Sequence, residues 1–478
     1  MNAFGRTDFE KTSALGLTCA IAVLAIGVLT PFEILEYEVQ LVFSIFFATV
    51  LLWITKPVPY TISSVLCVIL LYALGVTSSF EEATVGFAST LVFFMVLLLL
   101  IGKSVPKVGL DKWIANLLVS PGSTPQKSIY RLAATLLFLA FLMPSGTART
   151  ATFFPIVDQI NKLYNIDDDS SFRRLAYYVL GHLNPVGSLA LMTGGGMAVT
   201  TAELTNSIVR PITWVEWAFY MIPPIILLFS ISIAAASFTY DVDDDHELHM
   251  CEVRADGSTN GIDGNTKSLT NDQLIVVGTL LVATCLWIIG SFVGVPSILP
   301  AMLVVLVFSL PGVRIITAKE IRNINWGVIF LIGAMLSLLN VMQDLNAFDF
   351  LVISLASFLP MDASTSVVLF LLFLVAVLIR TAFSSVSASF LVMFPILLEF
   401  ASLLEIKPLY LSFGLSILLM SGTFLPFNNP TVLIAYEKGP LTTAEVALLG
   451  AFTLTFGFVV VALSWTIYWP LVDAVAPM

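Results

Sequence analysis

A short polar break interrupts a long hydrophobic stretch at residues 144–150, Pro-Ser-Gly-Thr-Ala-Arg-Thr. In lipid, each unpaired backbone group costs several kcal/mol, and an arginine adds about 2.5–3.5 kcal/mol on insertion scales. A chain that carries both costs at one point is expected to use them. Hydroxyls, backbone N–H groups and the fixed charge of Arg149 together suit a small anion.

A second break of the same kind occurs in the other half of the chain, at residues 380–387, Arg-Thr-Ala-Phe-Ser-Ser-Val-Ser. In both copies a proline follows the central serine at the same spacing, Ser145 to Pro155 and Ser385 to Pro395. Matched broken apolar segments in two halves are typical of transporter substrate sites.

Each half also contains a second interrupted element. The first has three consecutive glycines at residues 194–196, where each glycine costs about 1 kcal/mol in a helix interior. The second, residues 421–431, reads Ser-Gly-Thr-Phe-Leu-Pro-Phe-Asn-Asn-Pro-Thr. We predict an unwound helix at both places, and the alternative for the glycines is close helix packing.

The composition indicates a membrane protein. The chain has 478 residues, of which 58% are hydrophobic and 11% charged, with a mean hydropathy of +0.97. Soluble domains carry about 25% charged residues. Long continuous apolar runs predict an all-α polytopic fold. Without HExxH, GxSxG or P-loop patterns, an enzyme is not expected.

Lysine and arginine positions predict the topology. If residues 130–164 and 364–403 are re-entrant hairpins, nearly all basic residues fall on one side, which the positive-inside rule makes cytoplasmic. The result is about 11 spans of about 20 residues, a cytoplasmic N-terminus and an external C-terminus in the cytoplasmic membrane. The spans are predicted at 12–30, 38–55, 60–76, 88–106, 175–207, 214–239, 273–291, 296–311, 325–343, 408–436 and 445–470.

The chain divides into two predicted inverted repeats. An N-terminal helix, 1–38, precedes a first repeat at 39–239, a polar linker at 240–272 and a second repeat at 273–478. Further similarity between the halves, at residues 52–54 and 286–288, supports the repeat, with chance similarity as the alternative. We interpret the linker as an acidic cytoplasmic segment, because its His246, His249 and Cys251 fit no zinc spacing.

We expect the two hairpin tips and the two unwound segments to form one anion site. The helix N-termini there carry partial positive charge. Arg149 matches a carboxylate, although a structural ion pair or a position near the membrane surface is the alternative. Asp158 and Glu203 are open as arginine partners or proton carriers. The side chains expected to bind substrate are Ser145, Thr147, Arg149, Thr200, Thr201, Ser385, Ser387, Asn428 and Asn429.

At these residues the chain resembles the divalent anion/sodium symporter family. Its hairpins carry Ser-Asn-Thr motifs, and Ser145-Gly146-Thr147 and Ser385-Val386-Ser387 fall on them. The run before Thr200 resembles the family's Gly-Thr loop, and residues 425–431 resemble its second copy. The resemblance implies carriage of dicarboxylates, tricarboxylates or sulfate, a homodimer, and a transport domain moving as an elevator. It adds Gly146 and Val386 to the substrate candidates.

Both motif asparagines are replaced here, by Gly146 and Val386, and the Pro-Ser-Gly-Thr-Ala-Arg run is similar to the di- and tricarboxylate exchanger branch. We therefore favour exchange or proton-linked transport over sodium symport. No cofactor or nucleic acid is expected, and Na⁺ and H⁺ stay open as coupling ions. Candidates for a cation site are Gly194, Gly195, Thr381, Ser384, Ser421 and Gly422. An inorganic ion permease or Na⁺/H⁺ antiporter of related fold is the further alternative.

Overall fold

A computed structural model describes residues 3–110, 113–114, 124–242, 269–360 and 362–475, and within them helices are present and strands are not. Seven helices in these ranges are long and apolar enough to cross a membrane: Tyr37–Thr55, Thr90–Lys107, Trp214–Thr239, Asn271–Val293, Trp326–Asp344, Val386–Leu403 and Thr443–Val475. Shorter apolar helices lie at Ser13–Leu29, Tyr60–Ala73, Ile298–Ser309, Ala347–Ala356, Thr365–Arg380 and Pro408–Ser421. This is the architecture of a polytopic membrane protein.

Both predicted hairpin stretches form two helices separated by a short break. The first hairpin consists of Pro125–Leu142 and Gly146–Leu163, and the second of Thr365–Arg380 and Val386–Leu403. We call Gly146–Leu163 and Val386–Leu403 the first and second return helices. Each begins at a serine whose side chain accepts a backbone N–H, which is the preferred chemistry of a helix N-cap.

The predicted span 175–207 is interrupted. Helix Ser171–Tyr178 continues through a π-helical turn, Val179–Leu183, and a short helix, Asn184–Gly187. A 3₁₀ turn, Ser188–Ala190, follows, and the chain then leaves helical geometry until helix Gly196–Ile208 begins. π-Helical turns inside helices are frequent at functional sites. The predicted span 408–436 is interrupted similarly, between Pro408–Ser421 and Pro430–Lys438.

The described chain forms two compact units. The first unit contains residues 1–96 and 325–411. In it, helix Trp326–Asp344 packs against Tyr60–Ala73 and against the turn Val85–Ala88. The buried Ser337 Oγ accepts the Gly86 N–H at 3.0 Å, so the contact is polar as well as apolar. The second hairpin belongs to this unit.

The second unit contains residues 97–324 and 412–478, and includes the first hairpin and both unwound segments. Helix Trp214–Thr239 packs against Thr443–Leu463. Trp217 is fully buried, with its indole N–H donating to Leu189 O at 3.0 Å and its ring edge-on to Phe413. Most of the predicted linker, residues 243–268 with His246, His249 and Cys251, lies outside the described residues.

Glu320 joins two segments of the second unit. Its carboxylate accepts the Thr317 N–H at 2.8 Å and the Thr317 hydroxyl at 2.5 Å, and lies 2.9 Å from Lys107 Nζ. The Thr317 hydroxyl and then the Lys107 ammonium lower the pKa of Glu320 from 4.5 to about 2. A carboxyl with a lowered pKa stabilises the fold above its unfolded value and loses that contribution as the pH falls.

We expect Glu320→Gln to lower the free energy of unfolding by about 0.5–1 kcal/mol at neutral pH, since the pair is near the surface. The difference between wild type and variant should shrink as the pH falls from 4.5 towards 2. Thermal unfolding of both proteins in detergent at several pH values measures it. A difference that stays constant across this range contradicts the assignment.

Candidate functional site

The first break is shaped by Ser145. Its Oγ accepts the Ala148 N–H at 3.3 Å, and its carbonyl accepts the Arg149 N–H at 3.1 Å. The two N–H groups that precede these, of Gly146 and Thr147, have no intrahelical acceptor because they open the helix. Thr147 is exposed and Ser145 half-buried, so the tip presents hydroxyls and N–H groups to its surroundings.

Arg149 lies one turn into the first return helix and is fully buried. Nε donates to Asn184 Oδ1 at 2.8 Å, and Nη2 donates to Ser188 Oγ and, at 3.5 Å, to Asn184 O. Nη1 donates to Met143 O and, at 3.3 Å, to Gly194 O. The five N–H groups of a guanidinium thus all have protein acceptors.

These acceptors are neutral. Ion pairs are formed by Lys107, Arg173, Arg174 and Arg210, whereas Arg149 forms none with the described residues. A buried charge without a counter-ion is costly, and its field remains available to attract an anion. Arg149 therefore holds the break against the glycine segment, residues 191–195, while leaving an uncompensated positive charge behind the tip.

Asn184 and Ser188 complete this arrangement, and sequence reasoning missed both. Asn184 Nδ2 donates to Gly146 O at 2.8 Å and to Thr150 Oγ1 at 2.9 Å, so the residue bonds the return helix on both sides of Arg149. Both side chains are buried. The available signal was an Asn-Pro pair within an otherwise apolar run.

The glycine segment approaches Arg149 through its backbone. A Cβ added to Gly194 would lie 2.4 Å from Ser188 O, a distance that side chains do not adopt. This close approach is what brings Gly194 O to the guanidinium. Beyond the segment, Thr200 Oγ1 donates to Gly196 O at 2.8 Å, whereas Thr201 Oγ1 is buried and has no partner among the described residues.

The second unwound segment, residues 422–429, is held by its own amides. Asn428 Oδ1 accepts the Leu425 N–H at 3.0 Å, and Asn429 Oδ1 accepts the Thr431 N–H at 3.1 Å. Thr431 Oγ1 also donates to Gly181 O at 2.8 Å, which fixes the segment to the π-helical turn Val179–Leu183. At its start, Ser421 Oγ donates to Ile417 O, and the Gly422 N–H continues the helix to Leu418 O.

In the first unit, the second break repeats the serine cap and also contains a buried arginine. Ser385 Oγ accepts the Ala388 N–H at 3.3 Å, as Ser145 does for Ala148. The buried Arg380 donates to Phe383 O at 2.6 Å and so bonds within its own break. The remaining candidates are placed as follows: Thr381 Oγ1 donates to Leu378 O, Ser384 Oγ lies 2.7 Å from Tyr60 Oη, Val386 is buried and Ser387 is half-buried.

Asp158 and Glu203, each predicted as either an arginine partner or a proton carrier, differ in their hydrogen-bond partners. Asp158 Oδ1 lies 2.7 Å from Arg173 Nε and accepts the Tyr177 hydroxyl at 3.0 Å. Glu203 is half-buried, and the Asn206 amide donates to it at 3.5 Å. Asp158 thus has an arginine partner, and Glu203 is the less satisfied of the two.

We expect Asp158→Asn to reduce the free energy of unfolding by about 1 kcal/mol, as for a half-buried ion pair, while transport stays within about twofold of wild type. A matched control is Asp169→Asn, because Asp169 pairs with Arg174 but is largely exposed. Thermal unfolding and uptake by both variants test this. Loss of uptake in Asp158→Asn alone would identify Asp158 as part of the transport chemistry.

Comparison with known proteins identifies similarity over nearly the whole chain. The family model described as sodium:sulfate symporter transmembrane region matches residues 11–475. A citrate/succinate antiporter of Escherichia coli (strain K12) is 24% identical over 401 residues, which cover 81% of this chain and 79% of that protein. A sodium-dependent dicarboxylate transporter of Staphylococcus saprophyticus is 20% identical over 442 residues, covering 86% and 82%.

The fold has a solved counterpart. The crystal structure of the YdaH transporter of Alcanivorax borkumensis aligns with a TM-score of 0.52 at 14% identity. The alignment covers 85% of this chain and 89% of that one. At this identity the similarity bears on the fold alone.

Proposed function

Since the chain belongs to the sodium:sulfate symporter transmembrane family, we propose that it exchanges small organic di- and tricarboxylates across the membrane. The family and the relatives named above are transporters and not enzymes, and this chain is an integral multi-pass membrane protein. The observation that carries the proposal is the buried Arg149, which supplies a fixed positive charge behind a hydroxyl-bearing hairpin tip.

An anionic substrate is supported by the chemistry of the first break. Its helix N-terminus, its hydroxyls and its uncompensated guanidinium all favour negative charge. The second break offers a capped helix N-terminus of the same kind, with Ser385 and Ser387. We propose that, in the second unit, the first tip, Thr200, Thr201 and the asparagine segment contact the substrate, and that in the first unit Ser385 and Ser387 do.

Exchange, rather than sodium symport, is supported by the backbone carbonyls to which Arg149 donates. Met143 O and Gly194 O, carbonyls from a hairpin break and an unwound segment, are the type of ligand that binds Na⁺ in transporters. Here the Arg149 guanidinium takes the place of the cation, because its Nη1 donates to both carbonyls. Unlike a bound Na⁺, the charge of Arg149 cannot leave with the substrate. The empty carrier therefore keeps a positive charge that the loaded carrier has neutralised, and this favours return of the carrier with another anion bound. The citrate/succinate antiporter relative is named for such an exchange.

Sodium symport is the second candidate. The family description and the S. saprophyticus relative both name sodium, and the second break offers the hydroxyls of Thr381 and Ser384. Proton coupling would instead use Glu203. We further propose that the protein is a homodimer built on inverted repeats, that it moves substrate by an elevator movement, and that its N-terminus is cytoplasmic.

Counterflow in proteoliposomes tests the substrate class. Vesicles are loaded with unlabelled succinate, citrate or sulfate, and uptake of the same labelled anion is measured. We expect succinate or citrate to accumulate and sulfate to accumulate less. Accumulation of sulfate alone would favour an inorganic anion carrier. Absence of counterflow for all three, in protein that retains its thermal transition, would refute the proposal.

A further inference from the structure

A cleft of about 520 Å³ lies in the first unit, next to the second hairpin. Its lining residues are Lys56, Pro57, Val58, Pro59, Tyr60, Thr61, Asn325 and Gly327. The one charged group among these eight is a lysine, and none is acidic. The cleft therefore has the charge expected of a site for an anion, outside the residues assigned to the substrate so far.

Lys56 is placed at this cleft by the end of a helix. It ends helix Tyr37–Thr55 in the left-handed region, with φ 49° and its N–H bonded to Leu52 O at 3.0 Å. A left-handed residue commonly ends a helix, and here it places the Lys56 side chain at the cleft. Its ammonium sits 5.0 Å from the centre of the Tyr60 ring, a cation–π distance.

The cleft adds donors of other kinds. Thr61 supplies a hydroxyl and Asn325 an amide. Helices Tyr60–Ala73 and Trp326–Asp344 both begin here, and a Cβ on Gly327 would lie 3.4 Å from Tyr60 Cβ, so the two helix starts are close together. Their partial positive charges strengthen the field of Lys56.

Tyr60 connects the cleft to the second break. Its hydroxyl lies 2.7 Å from Ser384 Oγ, although the two residues belong to opposite halves of the chain. Ser384 precedes the N-cap Ser385, and Arg380 donates to Phe383 O in the same break. The side chain that packs under the Lys56 ammonium thus also fixes the tip of the second hairpin.

We propose that this cleft binds a carboxylate of the transported anion ahead of the second hairpin, with Lys56 as the recruiting charge and Tyr60 as a positioning residue for the tip. For the identity of the anion the inference rests on the proposed function. The site itself depends only on the cleft and its charge. Binding there raises the local anion concentration beside Ser384 and Ser385, which lowers the KM for uptake.

The test compares Lys56→Gln, Lys56→Arg and a matched control, Lys407→Gln. Lys407 lies 5.1 Å from the Tyr410 ring in the same unit, so it offers the same cation–π geometry away from the cleft. Succinate and citrate uptake is measured in proteoliposomes at low and high ionic strength. Succinate and citrate binding to the detergent-purified proteins is measured by calorimetry.

We expect Lys56→Gln to raise the KM about three- to fivefold at low ionic strength, with less effect at high ionic strength because salt screens the charge. Lys56→Arg should restore most of the affinity, and Lys407→Gln should match wild type. Tyr60→Phe and Ser384→Ala should lower the maximal rate of uptake by similar factors. The double variant should be no slower than either single variant, because both substitutions remove the same hydrogen bond.

An unchanged KM and binding constant in Lys56→Gln, or an equal change in Lys407→Gln, overturns the cleft assignment while leaving the proposed function intact. If the wild type transports neither carboxylate but binds one with a Lys56-dependent constant, the proposed function fails and the cleft stands. If it binds neither, both fail. Additive losses in Tyr60→Phe and Ser384→Ala would remove the positioning role of Tyr60.

Discussion

Arg149→Gln should reduce anion exchange by about 100-fold or more. The substitution leaves Met143 O, Gly194 O and Asn184 Oδ1 without the donor they now share. Each buried acceptor left unpaired costs about 1–3 kcal/mol, and every 1.4 kcal/mol is a factor of ten. Arg149→Lys should lose nearly as much, because an ammonium has three donors and cannot span these acceptors. Initial rates of counterflow measure both.

Two further variants separate the guanidinium from a general loss of structure. Arg210→Gln removes an arginine of the same unit that is paired with Glu216 and partly exposed, and should keep more than about half of the exchange rate. Asn184→Ala keeps Arg149 but removes the acceptor of its Nε, and should reduce exchange about tenfold. Wild-type exchange in Arg149→Gln would show that the charge behind the tip is dispensable.

Gly194→Ala should reduce exchange at least about tenfold, since overpacking costs about 1–3 kcal/mol and here the obstacle is backbone. The new methyl would lie 2.4 Å from Ser188 O, so the glycine segment must move away from Arg149. A shift of Gly194 O would remove one of the two carbonyl contacts of Nη1. Counterflow rates and thermal unfolding of the purified protein measure the effect.

Gly278→Ala is the matched control. A Cβ at Gly278 meets nothing within 4 Å, and the residue lies in the middle of helix Asn271–Val293 of the same unit. This variant should exchange anions at the wild-type rate and unfold at the same temperature or slightly higher, because alanine favours a helix over glycine. Equal behaviour of the two alanine variants would contradict the close approach at Gly194.

The helix breaks of this architecture can be predicted from helix-breaking residues in the sequence. Glycine, proline and serine in apolar runs predicted both hairpin breaks, the unwound glycine segment and the asparagine segment, because backbone that leaves a helix in lipid needs partners. The structure has breaks at each of these places. The resemblance to the divalent anion/sodium symporter family, drawn from the same residues, is confirmed by the family model that matches residues 11–475.

The partners of the candidate residues did not follow from the sequence. Arg149 was expected to point its fork at a carboxylate, yet its N–H groups reach Asn184, Ser188 and three backbone carbonyls of the second unit. Sequence patterns cannot predict these acceptors of Arg149, because the acceptors depend on how the π-helical turn folds back onto the first return helix. The Tyr60–Ser384 contact is likewise invisible to periodicity, since it joins opposite halves of the chain.

The central claim is that Arg149 fills the place of a coupling cation, so that transport is exchange. The most direct measurement is uptake of labelled succinate and citrate into proteoliposomes under two conditions, an inward Na⁺ gradient with empty vesicles and trapped unlabelled anion without Na⁺. We predict uptake only with trapped anion. Uptake driven by the Na⁺ gradient into empty vesicles would contradict the claim, and would mean that sodium binds despite Gly146, Val386 and the guanidinium.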